Sequence, residues 1–571
     1  MSIANTVLSE SAASAPVLPE SAPAFPESPQ LVPESPQLVP ESPQLVPESP
    51  QFVPESPQFV LESPQLVPGP AERVPEPRPA VDYERVRKVH LIGIGGSAMG
   101  NFAGMLQAKG LEVRGSDAGV FDPMRANLLN WGIPFAQGYA AENLDWGPDL
   151  VVIGNVSRRD NPEALRVVAD ATPYCSFPEA LGEWMLRGRT PVVIAGTHGK
   201  TTTTSLTAWL LEATGSAPGL LVGGVPKNLG SSFRIGDGAP FVIEGDEYDT
   251  AYYDKRPKFV HYRPQLGVLT SVEFDHADIY PDFAAVQRAF ALFASLIPDD
   301  GLLVAWGEDQ RVTAVLDRCR GRVVRYGFAG GGYALDVEVA DLQLSEYGAQ
   351  FTLLRGAAPP VHGRIPLTTW RPGEVIGRFG SPMAGRHNVL NAVAALVLAL
   401  DLGATPMALA AALRQFAGVK KRQELRGIAR GVAVIDDYAH HPTAVKETVA
   451  AIRSKYPNRK LWALFEAESN TSRRKVFEDV YPQAFAGADE VILCAPLHKD
   501  TDKLRADELM DAALVCQRIA NTGVAAHFVP QVADIVELVC ERARDGDVVL
   551  AMSGRDFQGL HGQLLARLQA G

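Results

Sequence analysis

A glycine-rich segment with a lysine followed by threonines carries the strongest chemical signal in the sequence. It runs from Gly196 to Thr203 and reads Gly-Thr-His-Gly-Lys-Thr-Thr-Thr. A Val/Ile-rich run precedes it and an apolar stretch, Ser205 to Thr214, follows it. A strand, a glycine turn and a helix in this order predict a phosphate-binding loop, because successive backbone N–H groups surround an anion. Lys200 would supply positive charge to the β- and γ-phosphates, and Thr201 a hydroxyl to Mg²⁺.

Acidic residues follow two later apolar runs. Phe241 to Glu244 continues into Gly-Asp-Glu-Tyr-Asp, and a carboxylate at such a strand end commonly completes Mg²⁺ coordination. Leu266 to Thr270 is followed by the segment 273–278, which reads Glu-Phe-Asp-His-Ala-Asp. Its histidine, His276, is either a second metal ligand or an ion-paired surface residue, and the sequence leaves both interpretations open.

Two further polar clusters also adjoin predicted elements. Arg386-His-Asn-Val-Leu-Asn391 precedes an apolar helix, where His387 could stack on a base and Asn388 could instead cap the helix. Asp436-Asp-Tyr-Ala-His-His-Pro442 follows a strand and precedes a helix from Thr443 to Lys455. Two aspartates and two histidines at a strand end indicate a binding site.

A second glycine loop lies nearer the N-terminus. Gly93, Gly95, Gly96 and Gly100 follow a buried-type strand, and Asp117 stands about 20 residues further on, where an acidic residue usually meets a ribose. Such a loop binds NAD, FAD or a UDP-sugar, or is only a packing turn.

These motifs require strands and helices that alternate along the chain, which predicts three successive α/β units. We expect the strands at 88–92, 111–114, 150–153, 191–195, 241–244, 266–270, 431–435, 461–465, 490–494 and 547–551.

Composition narrows the class of protein. The 571 residues are 46% hydrophobic and 21% charged, with a net charge of −13, so a broad basic surface for nucleic acid is not expected. The five cysteines are scattered, which argues against a disulfide framework or a zinc cluster. The longest apolar run, 392–400, is too short to span a membrane, and no secretory signal is recognisable. We expect a cytoplasmic protein without membrane insertion.

The first 85 residues have a different composition. From Pro26 the unit Pro-Glu-Ser-Pro-Gln-Leu/Phe-Val recurs, and its prolines and charges predict a disordered, extended tail. The tail is either a solvated tether or a docking arm for an unknown partner.

The ordered set of motifs resembles the Mur ligase family, the ATP-dependent amide-forming enzymes of peptidoglycan synthesis. The resemblance implies an α/β fold with a Rossmann-like UDP-sugar-binding domain (86–188), a central P-loop ATPase domain (189–417) and a C-terminal Rossmann-like domain (418–571), preceded by the disordered Pro-rich tail (1–85). The segment 246–264 is most similar to the branch that joins the tripeptide L-Ala-γ-D-Glu-meso-diaminopimelate to UDP-N-acetylmuramate in peptidoglycan recycling.

The resemblance also implies ATP and Mg²⁺ as cofactors, an acyl-phosphate intermediate, and a role in cell-wall biogenesis, cell shape, cell cycle and division. Catalytic roles are expected for Lys200, Glu244 and His276, with Thr201, Glu244 and His276 as metal ligands. The residues expected to contact ATP are Gly196, Thr197, His198, Gly199, Lys200, Thr201, Thr202, His387, Asn388, Asn391, Asp437 and His441. Those expected to bind substrate are Gly93, Gly95, Gly96, Ser116, Asp117 and Arg422.

The sequence departs from this branch near its C-terminus. Glu466-Ala-Glu468 stands where Glu-Pro-Arg is usual, and Arg555 lies in an altered glycine segment where it could restore the lost positive charge. Gly245 replaces a usual alanine. Three alternatives therefore stay open: a ligase that adds L-alanine alone, a catalytically impaired nucleotide-binding regulator, and a dinucleotide-dependent oxidoreductase.

Overall fold

The computed structural model describes residues 78–277, 279–359, 370–496 and 505–570. The predicted disordered tail falls mostly on residues 1–77, which lie outside the described residues, as does Asp278. The described residues form a five-stranded, a ten-stranded and a six-stranded sheet and a two-stranded hairpin.

The first sheet is parallel, with the strand order β3-β2-β1-β4-β5 of a Rossmann-type unit. Its strands are β1 (Lys88–Ile92), β2 (Glu112–Asp117), β3 (Phe135–Gln137), β4 (Leu150–Ile153) and β5 (Tyr174–Ser176). Its helices are α1 (Ser97–Ala108), α2 (Met124–Asn130), α3 (Pro162–Ala169) and α4 (Phe177–Leu181). The strand β4 is a run of four buried aliphatic residues, as expected where both faces of a parallel sheet are covered.

The second sheet has the order β17-β16-β15-β14-β13-β12-β6-β9-β7-β8. Its strands are β6 (Thr190–Ala195), β7 (Gly219–Leu221), β8 (Phe233–Arg234), β9 (Pro240–Gly245), β12 (Leu266–Leu269), β13 (Leu302–Trp306), β14 (Arg322–Phe328), β15 (Val337–Ser345), β16 (Gly348–Arg355) and β17 (Val375–Ser381). The hairpin consists of β10 (Asp249–Ala251) and β11 (Asp254–Pro257). The helices are α5 (Lys200–Ala213), α6 (Phe283–Leu296), α7 (Gln310–Thr313), α8 (Arg386–Asp401) and α9 (Pro406–Arg414).

The third sheet has the order β18-β19-β23-β20-β21-β22 and is parallel except for β18. Its strands are β18 (Glu424–Ala429), β19 (Val432–Asp437), β20 (Leu461–Glu466), β21 (Glu490–Leu493), β22 (Ala525–Phe528) and β23 (Val548–Ser553). Its helices are α10 (Pro442–Lys455), α11 (Tyr481–Ala484), α12 (Ala512–Ala520), α13 (Val532–Arg542) and α14 (Leu560–Ala570). The prediction of three successive α/β units is confirmed.

The centre of the ten-stranded sheet brings the predicted chemistry together. The strand β6 lies between β9 and β12 and runs parallel to both, with Ala195 opposite Gly245 on one side and Leu269 on the other. The carboxyl ends of three parallel strands therefore meet at one edge, which is where α/β sheets bind ligands. The phosphate loop, the acidic segment after β9 and the segment after β12 all begin at that edge.

Three observations correct details of the sequence analysis. The helix α5 begins at Lys200 rather than at Ser205, because the glycine loop runs directly into its helix. An antiparallel extension, β15 to β17, was not predicted. Residues 78–85 belong to the packed structure, since Arg78 pairs with Glu179 at 2.8 Å, whereas the sequence assigned them to the tail. The remaining domain divisions stay predictions.

Candidate active site

The loop 196–199 joins β6 to α5 in a backbone conformation that requires glycine. Gly196 and Gly199 have φ values of 131° and 82°. A Cβ on Gly196 would lie 2.1 Å from Thr270 Oγ1, and one on Gly199 would lie 2.6 Å from Asn391 Oδ1. The neighbouring segments therefore approach too closely for a side chain. The N–H groups of Thr197 and His198 donate to Ser271, and those of Gly199 and Lys200 lie at the start of α5, as an anion site needs.

Lys200, the first residue of α5, is held by a buried carboxylate. Its Nζ donates to the Gly196 carbonyl at 2.6 Å and to Glu247 Oε2 at 3.0 Å. Burial alone would lower the pKa of Lys200, but Glu247, Asp246 and Glu244 outweigh burial and raise it. Lys200 is therefore a fixed positive charge beside the loop.

Glu247 is also bonded to His276, so one carboxylate lies between a lysine and a histidine. His276 Nε2 is 3.2 Å from Glu247 Oε1, and the side chain of Glu247 is only 3% exposed. Burial opposes its ionisation, but Lys200 and His276 lower the pKa of Glu247 to about 2. In return Glu247 raises the pKa of His276 against the opposing effect of burial.

His276, expected to bind a second Mg²⁺, contacts two side chains through its ring. Its Nδ1 lies 2.7 Å from the Tyr248 hydroxyl, so both ring nitrogens have partners within the protein. Binding a second Mg²⁺ would require His276 to exchange one of them, and this role stays a prediction.

Glu244 and Thr201 fit a first Mg²⁺. Burial and the neighbouring Asp246 raise the pKa of Glu244, while the N–H of Gly223 and the Thr201 hydroxyl act in the opposite sense. The Gly223 N–H donates to Glu244 Oε1 at 2.9 Å. A local excess of negative charge beside a hydroxyl is a donor set that a hard, oxygen-seeking cation compensates.

The histidine of the loop meets the C-terminal sheet. His198 Nε2 is 3.2 Å from Glu273 Oε2, and the Thr443 hydroxyl of α10 donates to the same oxygen at 2.6 Å. The rings of His198 and His441 have centroids 4.5 Å apart. Burial and the neighbouring His198 lower the pKa of His441 to about 3, so His441 is neutral near pH 7.

The residues expected to seat the adenine differ in accessibility. Asn388 and Asn391 are buried, and Asn391 Oδ1 accepts a hydrogen bond from Thr203 at 3.2 Å. Asn391 therefore fixes α8 against α5, next to the loop. His387 is partly exposed, 3.6 Å from Glu447 and 3.4 Å from the amide nitrogen of Gln423.

Asp437 lies at the end of β19, and Arg422 connects the C-terminal part of the chain to Thr201 at the start of α5. The carboxylate of Asp437 is buried and accepts backbone N–H bonds from Gln423 and Ala439, both at 2.8 Å, so it shapes the strand end. Arg422 Nη2 is 3.4 Å from Thr201 Oγ1, and its guanidinium lies 4.8 Å from the centroid of the Tyr438 ring. The nucleotide and substrate roles expected of these two residues stay predictions.

The N-terminal glycine loop forms as expected, except for one side chain. Gly93 has a φ of 95°, and Asp117 Oδ2 accepts the N–H of Gly95 at 2.9 Å, so the carboxylate orders the loop. Ser116, in contrast, is fully buried and donates its hydroxyl to Glu163 at 2.6 Å. The structure therefore brings Asp117 to the loop together with Gly95, and directs the Ser116 hydroxyl into the sheet.

The charge reversal in the C-terminal segment is compensated locally. Arg555 Nε lies 2.6 Å from Glu468 Oε1, and Glu468 is 8% exposed. A Cβ on Gly554 would come within 2.8 Å of Glu468 Oε2, so the carboxylate lies close to the backbone there. Arg555 thus supplies positive charge beside Glu468.

Two central residues received no role from the sequence. Glu247 joins Lys200 to His276, and its only signal was its place in the acidic segment after β9. Glu273 contacts His198, Thr443 and also Arg311, whose Nη2 is 3.0 Å away. Its importance depends on contacts between segments 75 and 170 positions apart, which spacing along the chain does not reveal.

Comparison with known proteins agrees with this geometry. Three family profiles match the chain in order: "Mur ligase family, catalytic domain" over residues 88–189, "Mur ligase middle domain" over 194–399, and "Mur ligase, glutamate ligase domain" over 421–555. The second match contains the phosphate loop and the acidic segment. The third contains the segment that contacts the loop.

Individual relatives extend over nearly the whole described chain. The UDP-N-acetylmuramate–L-alanyl-γ-D-glutamyl-meso-2,6-diaminoheptanedioate ligase of Escherichia coli K12 is 36% identical over 84% of this chain and 97% of its own. A UDP-N-acetylmuramate–L-alanine ligase of Arthrobacter is 36% identical over 81% of this chain and 91% of its own. The crystal structure of a murein peptide ligase from Psychrobacter arcticus is 32% identical, covers 84% of this chain and 98% of its own, and has a TM-score of 0.60. Because all three profiles match in order around a lysine-containing phosphate loop, the chain belongs to the Mur ligase family.

Proposed function

We propose that the protein is an ATP-dependent ligase that joins L-Ala-γ-D-Glu-meso-diaminopimelate to UDP-N-acetylmuramate in peptidoglycan recycling. The observation that carries the proposal is the arrangement of Lys200, Glu247 and His276 at the carboxyl ends of β6, β9 and β12. It occurs in a chain that aligns over 84% of its length with a ligase of that named activity.

The chemistry explains why a phosphate loop is needed. A carboxylate resists attack by an amine because oxide is a very poor leaving group. Transfer of the γ-phosphoryl group of ATP to the lactyl carboxylate of UDP-N-acetylmuramate forms an acyl phosphate and ADP. The amino group of the L-alanyl residue then attacks the acyl carbon, and the tetrahedral intermediate expels inorganic phosphate as the amide bond forms. Positioning and charge neutralisation account for most of the catalysis of such transfers.

Lys200 is the group that neutralises the transferring phosphoryl group. In the structure its ammonium is paired with Glu247, 3.0 Å away. We infer that the phosphates of ATP take the place of Glu247 as partner of Lys200, while His276 keeps Glu247 in position. A buried lysine that is pre-positioned in this way loses little side-chain entropy when the nucleotide enters.

The remaining loop contacts hold the nucleotide and the metal. The backbone N–H groups of Gly199, Lys200 and Thr201 would face the phosphates, and Asn391 keeps α8 beside them. Thr201 and Glu244 would hold Mg²⁺, which supplies Lewis-acid neutralisation of the phosphate oxygens. Arg422, 3.4 Å from Thr201, adds a positive charge from the C-terminal side.

The UDP-sugar is assigned to the N-terminal glycine loop. Asp117 orders that loop through its bond from the Gly95 N–H, and an acidic residue at this position is suited to bond a ribose hydroxyl. Because ATP and a UDP-linked sugar are the substrates, we assign the reaction to the cytoplasm, where its product contributes to cell-wall growth and thereby to cell shape and division.

Addition of L-alanine alone is the second candidate, favoured by the 36% identity to the L-alanine ligase of Arthrobacter. The two functions differ in the amine that attacks the same acyl phosphate. The test is phosphate release by the purified chain with ATP, Mg²⁺ and UDP-N-acetylmuramate, with the tripeptide and L-alanine compared at equal concentrations and the product identified by mass. We expect turnover with the tripeptide; turnover with L-alanine alone would overturn the proposal. Lys200→Ala is the control for contaminating ATPases.

A further inference from the structure

Three potential metal ligands meet where the phosphate loop contacts the segment before α10. His198, Glu273 and His441 each offer one ligand atom, and these three atoms all lie within 4.8 Å of one another. Glu273 Oε2 is 3.2 Å from His198 Nε2 and 3.7 Å from His441 Nδ1. A tetrahedral zinc ion with ligands about 2.0–2.2 Å away holds neighbouring ligand atoms roughly 3.3 Å apart, so small side-chain adjustments would complete such a site.

The orientation of His441 directs its unprotonated nitrogen towards Glu273. Its Nε2 lies 3.3 Å from the carbonyl oxygen of Phe274, which can only accept, so Nε2 carries the hydrogen and donates. Nδ1 therefore carries the lone pair, which accepts the N–H of Thr443 at 3.3 Å, and a bound ion would replace that hydrogen bond. Metal-binding histidines are commonly oriented in this way, by a hydrogen bond from the nitrogen that does not bind the metal.

The carboxylate is fixed as well. Glu273 Oε1 accepts from Arg311 Nη2 at 3.0 Å, which leaves Oε2 facing the two imidazoles. The Thr443 hydroxyl bonds Oε2 at 2.6 Å and steadies it further. The exposed fractions of the His198, Glu273 and His441 side chains are 21%, 12% and 7%, so the group is sheltered but reachable by a small ion.

We propose that His198, Glu273 and His441 form a binding site for Zn²⁺ or a similar borderline-soft divalent cation, separate from the Mg²⁺ site at Thr201 and Glu244. Two imidazoles and one carboxylate favour zinc over Mg²⁺, which prefers oxygen ligands and retains water. Water would occupy the fourth position.

The site connects parts of the chain that are distant in sequence. One ligand comes from the β6–α5 loop, one from the segment after β12 and one from the residue before α10. A bound ion would therefore tie the C-terminal sheet to the phosphate loop. If the loop binds ATP, zinc should inhibit the ligase by competing with ATP. This consequence rests on the proposed function. The binding of zinc does not depend on the proposed function.

Equilibrium dialysis of the full chain against ZnCl₂, without nucleotide and with a large excess of Mg²⁺, tests the site directly. We expect one tightly bound zinc per chain. His198→Ala and His441→Ala should each lower the affinity for zinc about 100-fold or more, because the loss of a ligand should cost at least as much as the loss of an outer-shell partner. His527→Ala is the matched control. His527 lies on β22, outside the proposed site, and its Nε2 is 3.1 Å from Glu490 Oε1.

Glu273→Gln serves as a third variant, so that misfolding of one histidine variant, detected by circular dichroism, leaves the test decisive. Failure to bind zinc in the presence of Mg²⁺, or equal affinity in the wild type and the three variants, would overturn the proposed site. Because dialysis measures no turnover, its result is independent of whether the protein proves to be the proposed ligase.

Discussion

Replacing Glu247 with glutamine should destabilise the nucleotide-free protein strongly, because this carboxylate balances the buried charge of Lys200 and also bonds to His276. Lowering the pKa of Glu247 from its ordinary value to about 2 corresponds to about 3 kcal/mol, at about 1.4 kcal/mol for each tenfold change in the dissociation constant. At 3% exposure, solvent screening reduces this figure little. We therefore expect Glu247→Gln to lower the free energy of unfolding by about 3 kcal/mol at pH 7.

The pH dependence has a definite sign. The pKa of Glu247 is lower in the folded state than in the unfolded chain, so its ionised form stabilises the fold above about pH 4.5 and this contribution is lost as the pH falls towards 2. The difference between wild type and variant should therefore shrink below pH 4.5. Saturating ATP should also reduce it, because phosphate then supplies the negative charge beside Lys200.

Urea unfolding followed by circular dichroism at pH 7 measures the effect. Glu112→Gln is the control, since Glu112 pairs with Arg114 at 2.8 Å but both side chains are more than 40% exposed, and such surface pairs contribute less than about 1 kcal/mol. The double variant Lys200→Met/Glu247→Gln should be more stable than Glu247→Gln, because the buried charge of Lys200 is removed together with its partner. An unfolding midpoint for Glu247→Gln equal to that of the wild type would refute the reasoning.

Three further outcomes are expected. Lys200→Ala should lower turnover at least about 10³-fold while the UDP-substrate still binds. A phosphate-release assay measures the turnover, and calorimetry measures binding of the UDP-substrate. Near-normal turnover would contradict the role of Lys200. Asp117→Ala should raise the KM for the UDP-substrate about tenfold and leave the KM for ATP unchanged, because the bond from the Gly95 N–H is lost. Equal increases in the two KM values would contradict the assignment of the UDP-substrate to this loop. Burial raises the pKa of Asp436 to about 6, so this carboxylate favours the folded state at low pH and loses that advantage as the pH rises through 6. Asp436→Asn should therefore gain about 1–2 kcal/mol of stability relative to wild type between pH 5 and pH 8 in thermal unfolding, and a constant difference would contradict the assignment.

Local signals predicted much of the architecture. Continuous aliphatic runs such as 150–153 and 191–195 coincide with strands because a buried parallel strand needs apolar residues on both faces. The phosphate loop was also predictable from a local signal. Its glycines, lysine and threonines lie within one short segment, and a strand and a helix adjoin that segment.

The contacts that connect distant segments were not predictable in this way. Glu247 reaches Lys200 only because β9 lies beside β6, an order of strands that no local pattern specifies. His276 reaches Glu247 from a residue with a φ of 55°, a conformation uncommon for histidine. The inward orientation of Ser116 depends on Glu163, 47 positions away.

The central claim is that the protein activates the lactyl carboxylate of UDP-N-acetylmuramate as an acyl phosphate. The most direct test uses UDP-N-acetylmuramate labelled with ¹⁸O in that carboxylate, with ATP, Mg²⁺ and the tripeptide, and mass spectrometry of the released phosphate. Activation by phosphoryl transfer predicts that each phosphate carries one ¹⁸O from the carboxylate. Unlabelled phosphate released together with amide product would contradict the account.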